Sequence, residues 1–172
     1  MVVTRRTFLP LLLVAFLLTF GTVSVLAKDK DSTAPVSGSS TGTSQVTNPP
    51  SSPTDPNGCA PNTGGGKVCH FDVSGTFTAS PLGSGTYTGK VTLDYSSYSA
   101  ASPCATATGT ITFTNAAGDK VYTMIAPGSK VCETGNPIVH SENLVLKITG
   151  GTGVFLHASG TIMSNGSTTD VA

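Results

Sequence analysis

The stretch Ile148-Thr149-Gly150-Gly151-Thr152-Gly153-Val154-Phe155-Leu156-His157-Ala158-Ser159-Gly160 decides the fold. It joins two strand-like runs through a turn that holds three glycines. Glycines 150, 151 and 153 permit positive φ and close backbone approach, which a strand reversal followed by tight return into a sheet requires. The reading is of an all-β chain in which this turn links the last two strands, Ile138 to Thr149 and Val154 to Ile162.

Alternation of apolar and polar residues upstream gives four further runs. Phe71, Val73, Phe77 and Ala79 share one face of His70 to Ala79. Tyr87, Gly89, Val91, Leu93 and Tyr95 share one face of Gly85 to Tyr95, and Ile111 and Phe113 face away from Thr110, Thr112 and Thr114. Lys120 to Ala126 returns after a turn at Gly118 but shows no clean alternation. In the long run Leu144, Leu146 and Ile148 are in phase, as are Val154, Leu156, Ala158 and Ile162 in the last one. Strands that are apolar on one side and wet on the other, with no helical pattern between them, predict an antiparallel sheet closing over one core. Closure also hides the edges that long strands would expose. The predicted fold is a small antiparallel up-and-down β-barrel of about 6–8 strands.

The glycine turn resembles the Gly-Gly-Thr-Gly-x-Phe-x-x-Ala-x-Gly signature of the dirigent and allene oxide cyclase-like barrel families. Gly150, Gly151, Thr152, Gly153, Phe155, Ala158 and Gly160 fit it, and Gly109-Thr110-Ile111-Thr112-Phe113 followed by Gly118-Asp119 is similar to the preceding hairpin of those families. The resemblance implies an eight-stranded barrel with an apolar cavity and a few polar groups, so two more strands are expected near Cys59 or the C-terminus. Dirigent proteins steer the coupling of phenoxy radicals, and allene oxide cyclases close a ring in a fatty-acid-derived epoxide. Beyond the Gly/Phe turn their working residues have no matching positions here, so the resemblance implies a fold and a cavity rather than a reaction.

Residues 1–27 carry Arg5 and Arg6, an apolar run from Phe8 to Phe20 and small residues before Ala27, the pattern of an export signal cleaved after Ala27. Thr4-Arg5-Arg6-Thr7-Phe8-Leu9 also fits a twin-arginine motif, though the strongly apolar core with Pro10 favours an ordinary Sec signal. Residues 28–58 are Ser, Thr, Pro, Gly, Asn and Asp with almost nothing to bury, and are expected to be a disordered tether. Residues 59–172 form the predicted barrel domain. The formal net charge is +0, with Lys+Arg 9 against Asp+Glu 9 and no basic run, which argues against nucleic acid as a partner and limits membrane contact to export. A secreted or cell-surface protein is the expectation.

Cys59, Cys69, Cys104 and Cys132 all follow the tether, and an even number in an exported chain points to two disulfides with three possible connectivities. Reflecting Cys104 about Gly118 lands on Cys132, which pairs those two across the arms of a hairpin and leaves Cys59 with Cys69. No Cys-x-x-Cys spacing supports zinc, and neither a metal nor a cofactor is expected.

His140 and Glu142 are the only ionisable residues in phase with a strongly apolar face, two residues apart and so on one side of one strand. Inside a dry lumen they form a candidate acid/base pair; at the barrel rim, solvent would satisfy them. Tyr87 and Tyr95 share the inward phase of their strand and either offer hydroxyls to a ligand or fill the core. His70 and Asp72 share a polar face and are placed to bond each other, whereas His157 is expected to face outward. Asn165-Gly166-Ser167 is a glycosylation sequon in a host that glycosylates exported asparagines. No nucleophile elbow, phosphate loop or calcium loop is present in the sequence. The expected activity is the binding of a small hydrophobic or phenolic ligand in the lumen, with Tyr87, Tyr95, His140 and Glu142 as its polar contacts. The alternatives are an isomerase, cyclase or stereochemical guide using the same residues, and a tethered structural or adhesive module that works through its outer face.

Overall fold

The structure is a computed structural model that describes residues 13–26, 33–47, 68–134 and 139–171, with side chains described over 37–47, 68–133 and 140–167. Its strands are β1 Leu13–Leu26, β2 Thr33–Val46, β3 Val68–Ser80, β4 Gly83–Asp94, β5 Cys104–Asn115, β6 Lys120–Ile125, β7 Lys130–Thr134, β8 Val139–Gly151 and β9 Gly160–Val171. Every pairing is antiparallel. From β2 the ladders run to β3, β4 and β5, then through β6 and β7 to β8 and β9, a partial ring of hydrogen bonds in one sheet.

The predicted inward phases hold on β3, β4 and β5. Val73, Phe77, Ala79, Tyr87, Val91, Leu93, Ile111 and Phe113 are buried, and Phe71 and Tyr95 pack against them half-buried. Leu144, Leu146 and Ile148 line the same core from β8. Burial of each such side chain is worth about 1.5–3 kcal/mol, so this phase fixes the register of every ladder.

The structure departs from the sequence reading in four places. Lys120–Ile125 does alternate, with Val121, Thr123 and Ile125 buried. Thr123 hides the pattern because it is a polar residue on the inner face, satisfied there by donating to the Ile111 carbonyl at 2.8 Å. Val154 to Ile162 is not one strand: Gly153–Phe155 is a 3₁₀ turn, Phe155 is buried while Val154 and Leu156 are exposed, and the strand begins at Gly160 and carries on well past Ile162. The predicted hairpin return is two strands, not one. β6 ends at Ile125, the chain bulges through Ala126-Pro127-Gly128-Ser129, and β7 resumes beside β5 in the same direction. Ser129 pins that bulge: its buried hydroxyl donates to the Ala126 carbonyl at 2.8 Å and accepts from the Val145 amide at 3.0 Å.

The fourth departure is at the N-terminal side. Thr33–Val46, inside the span expected to be a disordered tether, pairs with β3 in unbroken register from Ser37↔Ser80 to Val46↔Phe71. The ladder needs only backbone groups, and the neighbouring strands supply the apolar surface that this segment lacks. Leu13–Leu26, within the expected export signal, pairs with β2 on one side and β9 on the other. The sheet therefore reaches N-terminal of residue 59, and the extra strands lie there rather than near Cys59 or the C-terminus. The remainder of the expected tether, and Cys59, lie outside the described residues.

Cys104 and Cys132 are disulfide-bonded as directly opposed residues of β5 and β7. Cys69 is fully buried and also disulfide-bonded; the expected pairing with Cys59 falls on a residue outside the described set. The glycine turn behaves as its sequence demands, for different reasons at each position. Gly150 and Gly153 have φ of 150° and 56°, whereas a Cβ on Gly151 would meet the Lys120 carbonyl at 2.5 Å and Phe155 Cβ at 2.9 Å.

Candidate functional site

The inner wall is apolar at one end and polar towards the other. Phe77 and Phe113 meet edge to face with centroids 5.5 Å apart, and the Tyr87 ring lies 6.1 Å from Phe113. These rings fill the end where β3 finishes and β4 begins. Towards the opposite end the inward residues shrink to Ala105 and Ala107, and Ser44 and Ser164 are buried polar residues, whereas Ser40 lies directly opposite Phe77. Glu142 belongs to this polar zone, opposed by Val131 on β7 and Gly166 on β9.

Three buried side chains have no hydrogen-bond partner among the described residues: the Tyr87 hydroxyl, both carboxyl oxygens of Glu142 and the Ser164 hydroxyl. Their residues are 1%, 4% and 0% exposed, and a buried polar group left unsatisfied costs about 1–3 kcal/mol. Burial pushes the Glu142 carboxyl from 4.5 up to about 8. Burial first, and then the Glu142 charge, holds the Tyr87 hydroxyl well above the ordinary tyrosine range. The Glu142 charge on β8 therefore acts on the Tyr87 hydroxyl of β4, although neither satisfies the other.

Room for the Tyr87 ring comes from β2 and β3. A Cβ on Gly42 would run into the Tyr87 hydroxyl and the Ser74 carbonyl, and one on Gly75 would lie 2.7 Å from Tyr87 Cε1. The inner face of β2 thus carries Ser40, Gly42 and Ser44, small residues against which the tyrosine tip packs.

The other predicted site residues are only half-buried. His140 is half-buried at the start of β8, one inward step from Glu142, and is opposed by Glu133 on β7. Tyr98 donates to Glu133 Oε2 at 2.5 Å, and this bond pushes the Tyr98 hydroxyl up to about 12. Tyr95 is half-buried with its ring 5.8 Å from that of Tyr98. So Tyr87 and Glu142 are both buried, with the charge of one acting on the other, while Tyr95 and His140 are half-buried beside Tyr98 and Glu133. His70 and Asp72 do not bond each other; each turns to β4, His70 Nδ1 to Thr92 Oγ1 at 3.0 Å and Asp72 to Lys90 at 2.8 Å. His157 is exposed, as expected.

Ser164, Tyr98 and Glu133 escaped the sequence reading. Ser164 was legible in principle, because the phase of Ile162 continues to it two residues on. Tyr98 lies in an irregular segment between β4 and β5 where periodicity carries no signal. On the outside, a shallow depression of about 480 Å³ over β2 to β5 is lined by Thr43, Asp72, Thr88, Lys90, Thr110 and Thr112. Its one charge pair is closed on itself at 2.8 Å. Among the described residues no three His, Cys, Asp or Glu side chains converge as a metal site would require.

The chain matches no family model, no curated protein and no solved structure. The likeness of its glycine turn to the dirigent and allene oxide cyclase-like signature accordingly rests on those residues alone.

Proposed function

We propose that the sheet closes as an up-and-down barrel in an exported protein, and that its lumen binds a small, mainly apolar or phenolic molecule. Support for closure comes from strand parity. β6 and β7 run in one direction between β5 and β8, so β1 to β9 take eight positions around the sheet, an even number in which every neighbour is antiparallel. Eight positions leave room for side chains or one small ligand. The Cys104–Cys132 bond fits an oxidising compartment.

One observation carries the ligand reading: Tyr87, Glu142 and Ser164 hold buried polar atoms without partners in the inner wall. Such atoms are costly in a filled core and useful in a binding lumen, where a few polar groups orient an apolar ligand. A catalytic reading draws on the same Glu142, a carboxyl that burial brings near neutrality.

A thermal-shift screen of the full chain against fatty-acid derivatives, phenolics and terpenoids tests the proposal. A ligand at about 100 times its dissociation constant adds about 2.7 kcal/mol and moves the midpoint by several degrees. A shift for one chemical class, abolished by Ala105→Phe or Ala107→Phe in the lumen wall, is expected, and turnover of that class is then assayed. No shift with any class removes the lumen as the site and turns attention to the outer face.

A further inference from the structure

The partnerless groups of the inner wall also say what kind of molecule they would hold, an inference that rests on the lumen being the binding site. The Tyr87 hydroxyl is protonated throughout the physiological range, since burial and Glu142 both oppose its ionisation. The Glu142 carboxyl stays protonated at neutral pH, its pKa being about 8. Both groups are then hydrogen-bond donors, one on β4 and one on β8, and they are not bonded to one another. A protonated carboxyl paired with a tyrosine hydroxyl is suited to an oxygen that only accepts.

The charges around them support the same reading. Facing Glu142 are Val131 on β7 and Gly166 on β9, with His140 and Glu133 one step nearer the rim. From β4 comes Tyr87 and, just past its end, Tyr95. The described stretches Ser37 to Val46 of β2 and Gly160 to Ser167 of β9, and all of β5, contain no ionisable residue apart from the disulfide-bonded Cys104. Nor does the sequence of β1. No buried described residue is Lys or Arg, so an anionic ligand would meet no cation in the interior.

We propose that the lumen takes a neutral, mainly apolar molecule bearing a carbonyl-type oxygen, which accepts one hydrogen bond from Tyr87 and one from Glu142. Ser164 lies on the adjacent strand, with Leu144 opposite it, and supplies a third polar contact for a substituent near that oxygen. Fatty-acid carboxylates are poor ligands in consequence, and so are amines.

Three probes sharing one ring system separate the possibilities: 2-acetylnaphthalene, 2-naphthoate and 2-naphthylmethylammonium, titrated calorimetrically into the full chain at about pH 6 and about pH 9.5, on either side of the Glu142 value. The acetyl compound is expected to bind at the lower pH and to weaken about tenfold or more at the higher one, since each lost donor leaves an acceptor unpaired. Glu142→Gln keeps an N–H donor and loses the titration, so it is expected to bind equally at both pH values. Tyr87→Phe is expected to weaken binding about tenfold while keeping the pH dependence. Circular dichroism establishes that both variants fold. Tighter binding of the carboxylate or the ammonium, or wild-type binding that ignores pH, overturns the inference and leaves the lumen as a site. Binding of none of the three, together with a flat thermal-shift screen, removes both.

Discussion

Glu142 concentrates the physical tension of this molecule in one residue. A carboxyl 4% exposed with neither oxygen bonded stays neutral in the folded state up to about pH 8, whereas the ordinary value is 4.5. With its pKa raised on folding, the folded state binds the proton more tightly. The stabilisation is complete below the unfolded value and is lost as pH rises from about 4.5 through about 8. Every tenfold gain in proton affinity corresponds to about 1.4 kcal/mol, so chemical denaturation is expected to report a fall of several kcal/mol across that window. Glu142→Gln is expected to flatten the curve. An unchanged slope in that variant would assign the pH dependence to other groups. Sequence alternation placed Glu142 on the apolar face, but whether that position lay in the dry interior or at a wet rim depended on where the strand sits along the sheet. His140, two residues earlier on the same face, is only half-buried.

At the scale of elements, the Cys104–Cys132 pairing shows how a register can be read and what its reading omits. The β5–β6 ladder is centred on Ala117, as Thr114↔Lys120 shows, and by that register Cys104 would face Lys130. The bulge at Ala126 to Ser129 shifts the register by two residues and brings Cys132 opposite Cys104. Reflection about Gly118 gave the right partner because it averaged the turn and the bulge. β2 shows the opposite case, a strand without an apolar signature. Its place depends on fitting small residues against the core, and Gly75 on β3 is one of the positions where that fit is close. A Cβ there would lie 2.6 Å from Gly42 Cα and 2.7 Å from Tyr87 Cε1. Gly75→Ala is expected to lower the denaturation midpoint by the equivalent of about 1–3 kcal/mol, the usual cost of overpacking. A neutral result would mean that β2 does not pack on β3 as closely as this.

At the scale of the whole molecule, the proposed closure depends on Leu13–Leu26. Both β2 and β9 are antiparallel to β1, so they run parallel to each other and cannot close an up-and-down ring without it. A chain lacking residues 1–27 is expected to show a lower thermal midpoint than the full chain and faster amide exchange along Ser37 to Val46 and Gly160 to Ser167. Equal protection of those amides in both chains would show that the ring does not need this strand. The same apolar segment reads as the core of an export signal. N-terminal sequencing of the exported protein distinguishes retention of the strand from cleavage after Ala27.

The sequence by itself determined the all-β class, the inward phase of β3, β4, β5 and β8, the Cys104–Cys132 pair and the placing of Tyr87 and Glu142 on the apolar face. All of these follow from local periodicity and spacing, which the chain carries along its own length. Only the tertiary structure decided that Thr33–Val46 is a strand, that Thr123 and Ser164 are core residues, and that Tyr87 and Glu142 are buried without partners while His140 and Tyr95 are half-buried. The reason is physical. A strand's backbone hydrogen bonds are completed by its neighbours, and a side chain's burial is set by the strands opposite it. Neither is a property of the segment alone.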